Sequence, residues 1–201
     1  MVMEAQTINN KCMGRIKIQT LEIAGLRSVL EALRLPYGKE CRSKVDASFL
    51  VDKSNMIYST ESTCVVSPKD LTLLSTLVKR GDEHAKVLRG LIVYAKIEAP
   101  VWLYRELETY RVGRERLSSA STMHIECKGL SGEELEDAKD NIPRGHIQDT
   151  VDMYSYQTLR RIWQQRHNHR LPAWHDFCHW IESLPFAKEL LLNGLAEDER
   201  W

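Results

Sequence analysis

The side chains best suited to chemistry in this sequence lie in a polar segment near its middle. Arg111, Arg114 and Arg116 stand close together there, with Gly113 among them. Hydroxyl groups follow directly, at Ser118, Ser119, Ser121 and Thr122. Guanidinium groups present forked donors that match phosphate oxygens, and glycine lets the backbone approach a ligand closely. The segment therefore predicts a cradle for a phosphate or another anion.

A solvated loop is the alternative interpretation of the same segment. Glu106, Glu108 and Glu115 flank the arginines, so the charges could pair with one another instead of with a ligand. The chain as a whole carries 28 Lys and Arg against 28 Asp and Glu. This balance gives no basic field that would attract nucleic acid, and we expect no nucleic-acid partner. An anion site has to come from the local placement of arginines.

The elements that position this segment are predicted from apolar spacing and from proline. Residues 91–98 alternate and are β-branched, which predicts a strand, and Pro100 then opens a helix that runs into the polar segment. Further strands are predicted over 15–23 and near 49–58, and further helices over 26–33, 71–80, 82–89, 131–139, 149–168 and 172–184. We predict one α+β domain over residues 1–201, with a central antiparallel or mixed sheet and flanking helices.

Bulk properties indicate the compartment. No apolar run approaches the ~20 residues of a membrane span, and the first residues lack the apolar stretch of a secretory signal. The five cysteines are odd in number and widely spaced, which is typical of reduced thiols. We therefore expect a cytoplasmic protein without a membrane partner.

A histidine-rich helix is the other candidate for chemistry. His175, Cys178 and His179 share one helical face, and imidazole and thiolate are good zinc ligands. The spacing fixes no fourth ligand, and histidine-rich surface helices are common, so we predict no metal site. Trp174 and Trp180 fit helical spacing and are predicted to be core or subunit contacts.

The order of short motifs along the chain resembles one known family. The sequence reads LVKRGD over 77–82, EAP over 98–100, TYRVGRERLSSAS over 109–121 and AKDNIP over 138–143, and a long predicted helix follows. This layout is similar to that of the flavin-dependent thymidylate synthases, over about residues 67–168. The resemblance implies a homotetramer with nucleotide pockets shared between subunits. The apolar run over 185–195 and the five tryptophans also favour an oligomer.

The resemblance also implies the residues of the pocket. Arg111 and Ser119 keep the register of the family signature, and Arg166 corresponds to a nucleotide-binding arginine near the end of the long helix. The implied nucleotide-binding set is Glu106, Arg111, Arg114, Ser119, Ser121, Lys139 and Arg166. Within that set the arginines would hold phosphate, the serines would hydrogen-bond the ligand, and Glu106 would fix the base or sugar. Thr109, Tyr110 and Arg111 occupy the flavin-contacting positions.

Several positions depart from the family pattern. Thr109 and Tyr110 replace the Arg-His pair that contacts flavin, and Ser121 and Lys139 replace arginines. The family relies on flavin instead of a protein nucleophile, so these losses count against standard methyl transfer and identify no catalytic residue. We expect weak or absent FAD binding and a pocket for a pyrimidine nucleoside monophosphate such as dUMP. If the chain is an enzyme, it is a transferase of this type. The alternative is a non-enzymatic phage protein that sequesters a host nucleotide or a nucleotide immune signal.

Overall fold

The computed structural model describes residues 16–40, 44–45, 49–51, 57–59 and 64–194. The strands within these ranges are β1 Lys17–Ala24, β2 Lys44–Val45, β3 Phe49–Val51, β4 Ile57–Ser59, β5 Cys64–Val65, β6 Ile92–Pro100, β7 Arg114–Ser119 and β8 Ile147–Ser155. Six of them form one sheet in the order β4-β3-β1-β6-β8-β7, and every neighbouring pair is antiparallel. The short strands β2 and β5 pair separately.

Helices flank this sheet in the described part of the chain. They are α1 Leu26–Arg34, α2 Pro68–Lys79, α3 Val101–Leu107, α4 Gly132–Asp140, α5 Tyr156–Arg166 and α6 Pro172–Glu182. Single 3₁₀ turns cover Leu35–Tyr37 and Glu108–Tyr110, a longer one covers Ala85–Gly90, and a π-helical turn covers Ala187–Leu191. The prediction of an α+β fold is confirmed, and of the two predicted sheet types the antiparallel one is observed.

Several predicted elements differ from the structure. The predicted helix over 149–168 is strand β8 followed by helix α5, because residues 147–155 pair with both β6 and β7. Alternate β8 side chains are buried, but they are Thr150, Asp152 and Tyr154, so hydropathy alone does not reveal the strand. The polar segment predicted as a turn is mostly strand β7, and only residues 112–113 form a turn ahead of it. The single strand predicted near 49–58 is instead two antiparallel strands, β3 and β4. Residue 15 and residues 52–56 of the predicted strands lie outside the described ranges.

One face of the sheet carries the core. Val93, Ala95 and Ile97 of β6 are fully buried on this face. Helix α6 packs there, and the Tyr154 ring lies 6.0 Å from the rings of both Phe177 and Trp180. These contacts place α6 directly over the central strands.

The opposite face of the sheet is more open. Exposed ion pairs lie on it, Lys17 with Glu98 at 2.6 Å and Lys96 with Asp149 at 2.8 Å. Charged side chains of this kind keep part of the face in contact with solvent.

Helix α3 is fixed at one end of the sheet because it follows β6 without a loop. Its first amides donate to loop carbonyls, Val101 N to His146 O at 3.0 Å and Trp102 N to Arg144 O at 3.1 Å. These bonds satisfy donors that a helix start leaves free. The phenol of Tyr104 reaches the carbonyls of Ile97 at 2.9 Å and Gln148 at 2.7 Å. Helix α3 is therefore tied to both β6 and β8.

Helix α5 begins at a side-chain cap that also holds the turn before β7. The Ser155 hydroxyl accepts from Thr158 N at 3.2 Å, and Ser155 N donates to Gly113 O at 2.7 Å. Gly113 has a φ of 81°, and a Cβ there would lie 2.6 Å from Ser155 Oγ and closer still to Thr158 Oγ1. The close approach that this glycine permits is therefore to the start of α5.

Candidate nucleotide-binding site

Helix α3, the 3₁₀ turn that follows it, and helices α5 and α6 bring four side chains together, which we call the Arg166 cluster: Glu106, Tyr110, Arg166 and Trp174. Arg166 Nη1 lies 3.3 Å from Glu106 Oε2, and the Trp174 indole N–H donates to the same oxygen at 2.8 Å. Arg166 Nε donates to the Tyr110 hydroxyl at 2.9 Å. Three of the residues implied by the family resemblance, Glu106, Tyr110 and Arg166, thus form one connected site.

Two aromatic rings contact the Arg166 guanidinium. Its central carbon lies 4.5 Å from the centroid of Trp174 and 5.8 Å from that of Tyr110. Trp174 is fully buried, and its ring meets those of His169 and Phe177 at 6.2 and 5.7 Å. Burial, and then the charge of Arg166, lower the pKa of His169. A neutral imidazole beside the arginine leaves the guanidinium as the cationic centre of the cluster.

The Tyr110 side chain is buried, and its hydroxyl hydrogen-bonds residues of the same chain. Its ring is 3% exposed, and its hydroxyl donates to Gln165 Oε1 at 2.9 Å while accepting from Arg166. Thr109 donates its hydroxyl to Glu106 O at 2.8 Å. Arg111, the third flavin-contacting position, is exposed. Of these three residues, Arg111 has the side chain best placed to meet a cofactor.

Arg114 lies in a different environment, a buried ion pair with Asp152. Its Nη2 and Nε reach Asp152 Oδ2 at 2.5 and 2.9 Å, and Nε also reaches the Tyr154 hydroxyl at 3.3 Å. Burial alone lowers the pKa of Arg114, but Tyr154 and Asp152 outweigh it and raise the pKa. Glu108 contacts Arg114 from the surface at 3.2 Å. The Nε and Nη2 groups of Arg114 are therefore already paired with buried partners inside the protein.

Arg116 sits beside this pair at the edge of the core. Its guanidinium carbon lies 4.8 Å from the Tyr104 ring centroid, and Nη2 lies 3.4 Å from Glu108 Oε1. Its Nε is 3.7 Å from Asp152 Oδ1, and neither atom has a hydrogen bond among the described residues. Burial raises the pKa of Tyr104 to about 12, so its phenol stays protonated beside Arg116. Arg114 and Arg116 therefore form a network of charge pairs around Asp152 and Glu108.

Ser119, Ser121 and Lys139 form a third group at the end of β7. Ser119 is exposed and pairs in register with Thr150 of β8. The Ser121 carbonyl accepts from His124 N at 3.1 Å, which shapes the loop toward α4. The Lys139 ammonium donates to the Thr122 hydroxyl and ties α4 to that loop.

The predicted nucleotide-binding residues thus fall into separate groups within one chain. Tyr104 and Glu106 are two positions apart on α3, so their side chains leave the helix about 200° apart. Tyr104 faces Arg116 and the strands, whereas Glu106 faces Arg166. Helix α3 therefore stands between the Arg166 cluster and the arginines of β7.

The sequence does not reveal the roles of Asp152 and Trp174 in the site. Asp152 carried no signal because its partner Arg114 is distant in sequence and its strand was predicted as helix. Trp174 was predicted as a core or subunit contact, and it is buried, but its indole N–H also reaches the site. The tryptophan composition of α6 gave no hint of that hydrogen bond.

The histidine-rich helix is α6, and its candidate metal ligands differ in burial. His175 and His179 are exposed, and burial raises the pKa of the Cys178 thiol to about 12. No group of three or more metal-ligating side chains is arranged around a common centre in the described part of the chain. Within the same ranges, no helix is long and apolar enough to cross a membrane.

Comparison with known proteins identifies the class of fold. No family model and no curated protein matches the sequence. Among solved structures, flavin dependent thymidylate synthase ThyX from Helicobacter pylori, complexed with FAD and dUMP, is similar at 12% identity, with TM-scores of 0.62 and 0.64 in two structures. The match covers 90% and 91% of this chain and 100% of those chains. The chain therefore has a ThyX-like fold.

A second kind of enzyme shares this fold. The UMP/dUMP methylase PolB from Streptomyces cacaoi, bound with 5-Br dUMP, matches at 10% identity and a TM-score of 0.58, over 89% of this chain and 92% of its own. Both of these proteins are bound to a uracil nucleotide, dUMP in ThyX and 5-Br dUMP in PolB.

Proposed function

We propose that this protein binds a pyrimidine nucleoside monophosphate such as dUMP in a ThyX-like pocket that has lost much of its flavin chemistry. The observation that carries the proposal is the Arg166 cluster. Its guanidinium is oriented by Trp174, Tyr110 and Glu106 while 19% of the Arg166 side chain stays exposed. A preorganised, partly exposed guanidinium is well suited to bind a phosphate.

The grouping of the other residues supports a pocket shared between subunits. Arg111, Ser119, Ser121 and Lys139 would supply the rest of the nucleotide contacts, with Arg114 positioning the strand beneath them. Among the described residues no hydrogen bond or ion pair joins these side chains to Arg166, and we propose that a second copy of the chain completes the pocket. Large apolar side chains are exposed around β7 and the following loop, at Leu117, Met123, Ile125, Leu130 and Ile147. Apolar surface of this kind favours an interface, and we propose a homotetramer.

Flavin binding is expected to be weak or absent. The side chains of Thr109 and Tyr110 are engaged by Glu106, Gln165 and Arg166, and neither carries the positive charge that favours a diphosphate. FAD, if bound, would be held chiefly through Arg111. If the protein is an enzyme, it is a transferase acting on a pyrimidine nucleotide.

The engaged flavin positions also favour a second candidate function. A pocket that keeps its phosphate-binding arginine without a flavin site fits a non-enzymatic phage protein that sequesters a host nucleotide or a nucleotide immune signal. The free thiols of Cys127 and Cys178 are consistent with a cytoplasmic location for either function.

Isothermal titration with dUMP tests the proposal, with Arg166→Ala as the decisive variant. We expect Arg166→Ala to weaken binding at least ~tenfold, because a hydrogen bond to a charged group contributes about 1.5–3 kcal/mol. Arg161→Ala is the matched control, since Arg161 lies on the same helix and pairs loosely with Asp82 at 3.9 Å. If the two variants bind dUMP with equal affinity, Arg166 is not part of the binding site. Mass spectrometry of small molecules released from the denatured protein separates the two candidate functions.

A further inference from the structure

The carboxylate of Glu106 fills a small anion receptor. One of its oxygens accepts from the Trp174 indole N–H at 2.8 Å and lies 3.3 Å from Arg166 Nη1. The guanidinium is stacked 4.5 Å from the Trp174 ring centroid, so the two donors are held in a fixed relation. One cationic donor and one neutral N–H converging on a single oxygen would bind a phosphate oxygen equally well.

The base of the receptor is buried, whereas its occupant is partly exposed. Trp174 is fully buried, and Tyr110 and Phe177 pack against its ring. Glu106, in contrast, lies near the end of α3 with 33% of its side chain exposed. A glutamate side chain at such a position can rotate toward solvent without disturbing the core.

We propose that Arg166 and Trp174 together form the phosphate receptor of this protein and that Glu106 is an internal substitute which the ligand's phosphate displaces. This inference rests on the proposed nucleotide function and assigns Trp174 a binding role. It also changes the role of Glu106, which would compete with the ligand instead of contacting its base or sugar. A neutral nucleoside has no negative charge to replace that of Glu106, so we expect the receptor to favour a phosphorylated ligand.

The test measures binding of inorganic phosphate and of dUMP to the full chain by calorimetry and tryptophan fluorescence. In Glu106→Gln the amide oxygen still accepts from the indole, but the negative charge that competes for Arg166 is gone. We expect both ligands to bind about two- to fivefold more tightly, because partly exposed ion pairs have modest strength. Trp174→Phe keeps an aromatic ring beneath Arg166 and removes the indole donor, so we expect weaker binding of both ligands.

The matched control is Glu182→Gln. Glu182 also accepts from an indole, Trp163 Nε1 at 2.8 Å, but outside the Arg166 cluster. We expect this variant to bind both ligands as the parent does. Thermal unfolding of each variant establishes that the folded state is retained.

The possible results separate this inference from the function on which it rests. Unchanged or weaker phosphate binding by Glu106→Gln overturns the displacement mechanism, even if dUMP binds the parent protein. Tighter phosphate binding without any dUMP binding supports the receptor and refutes the nucleotide function. If neither ligand binds the parent or Glu106→Gln, both proposals are wrong.

Discussion

Replacing Asp152 by asparagine is expected to destabilise the protein strongly. Asp152 is fully buried, and its carboxylate balances Arg114, whose side chain is 2% exposed. Removing one partner of a buried pair leaves an uncompensated charge, which costs about 3–5 kcal/mol. Glu108 and Tyr154 also contact Arg114, so we expect the lower end, about 3 kcal/mol. For a chain of this size that corresponds to a fall in Tm of about 6–12 °C.

The same strand provides a matched control for this measurement. Asp149 pairs with Lys96 at 2.8 Å, but their side chains are 41% and 50% exposed. Asp149→Asn is therefore expected to cost less than about 1 kcal/mol. Calorimetric unfolding or urea titration of both variants gives the comparison. Similar losses from the two substitutions would refute the reasoning, because burial would then not determine the strength of the pair.

The remaining predictions concern the ligand, the assembly and one thiol. Arg111→Ala should weaken dUMP binding while leaving Tm nearly unchanged, as Arg111 is exposed; an unfolded variant would mark it as structural. Titration with FAD, followed by flavin fluorescence, should show no saturation at submicromolar concentration, and stoichiometric binding there would restore flavin-dependent catalysis as the leading function. Light scattering at micromolar concentration should give the mass of an oligomer, and a monomer mass would contradict shared pockets. Because burial raises the pKa of Cys178 to about 12, its thiol stays protonated below that pH, so Cys178→Ala should not change the thiol count of the native protein at pH 8.

Much of the fold was predictable because its signals are local. The alternation over 91–98 and the proline at position 100 correctly predicted β6 and the start of α3. Strand β8 was missed because its buried positions hold Thr150, Asp152 and Tyr154. These polar groups are stabilised by partners on other elements, and such partners leave no pattern in the sequence near them.

The candidate site was predictable only where the chain resembles a family. Glu106 and Arg166 were named from that resemblance, and the structure joins them at 3.3 Å. The burial of Arg114 could not be predicted, since its partner Asp152 is 38 positions away. Spacing along a chain identifies residue types that can do chemistry, but it does not show which charges are already neutralised.

Helix α5 has the turn at Gly113 at its start and Arg166 at its end. The start of the helix is pinned to this turn through Ser155 N, at 2.7 Å from Gly113 O, and through the Thr158 hydroxyl, at 2.7 Å from Val112 O. The helix has 11 residues and a length of ~16 Å, and Arg166 is its last residue. A ligand that displaces the turn therefore has to break these two bonds unless the start of α5 moves with the turn.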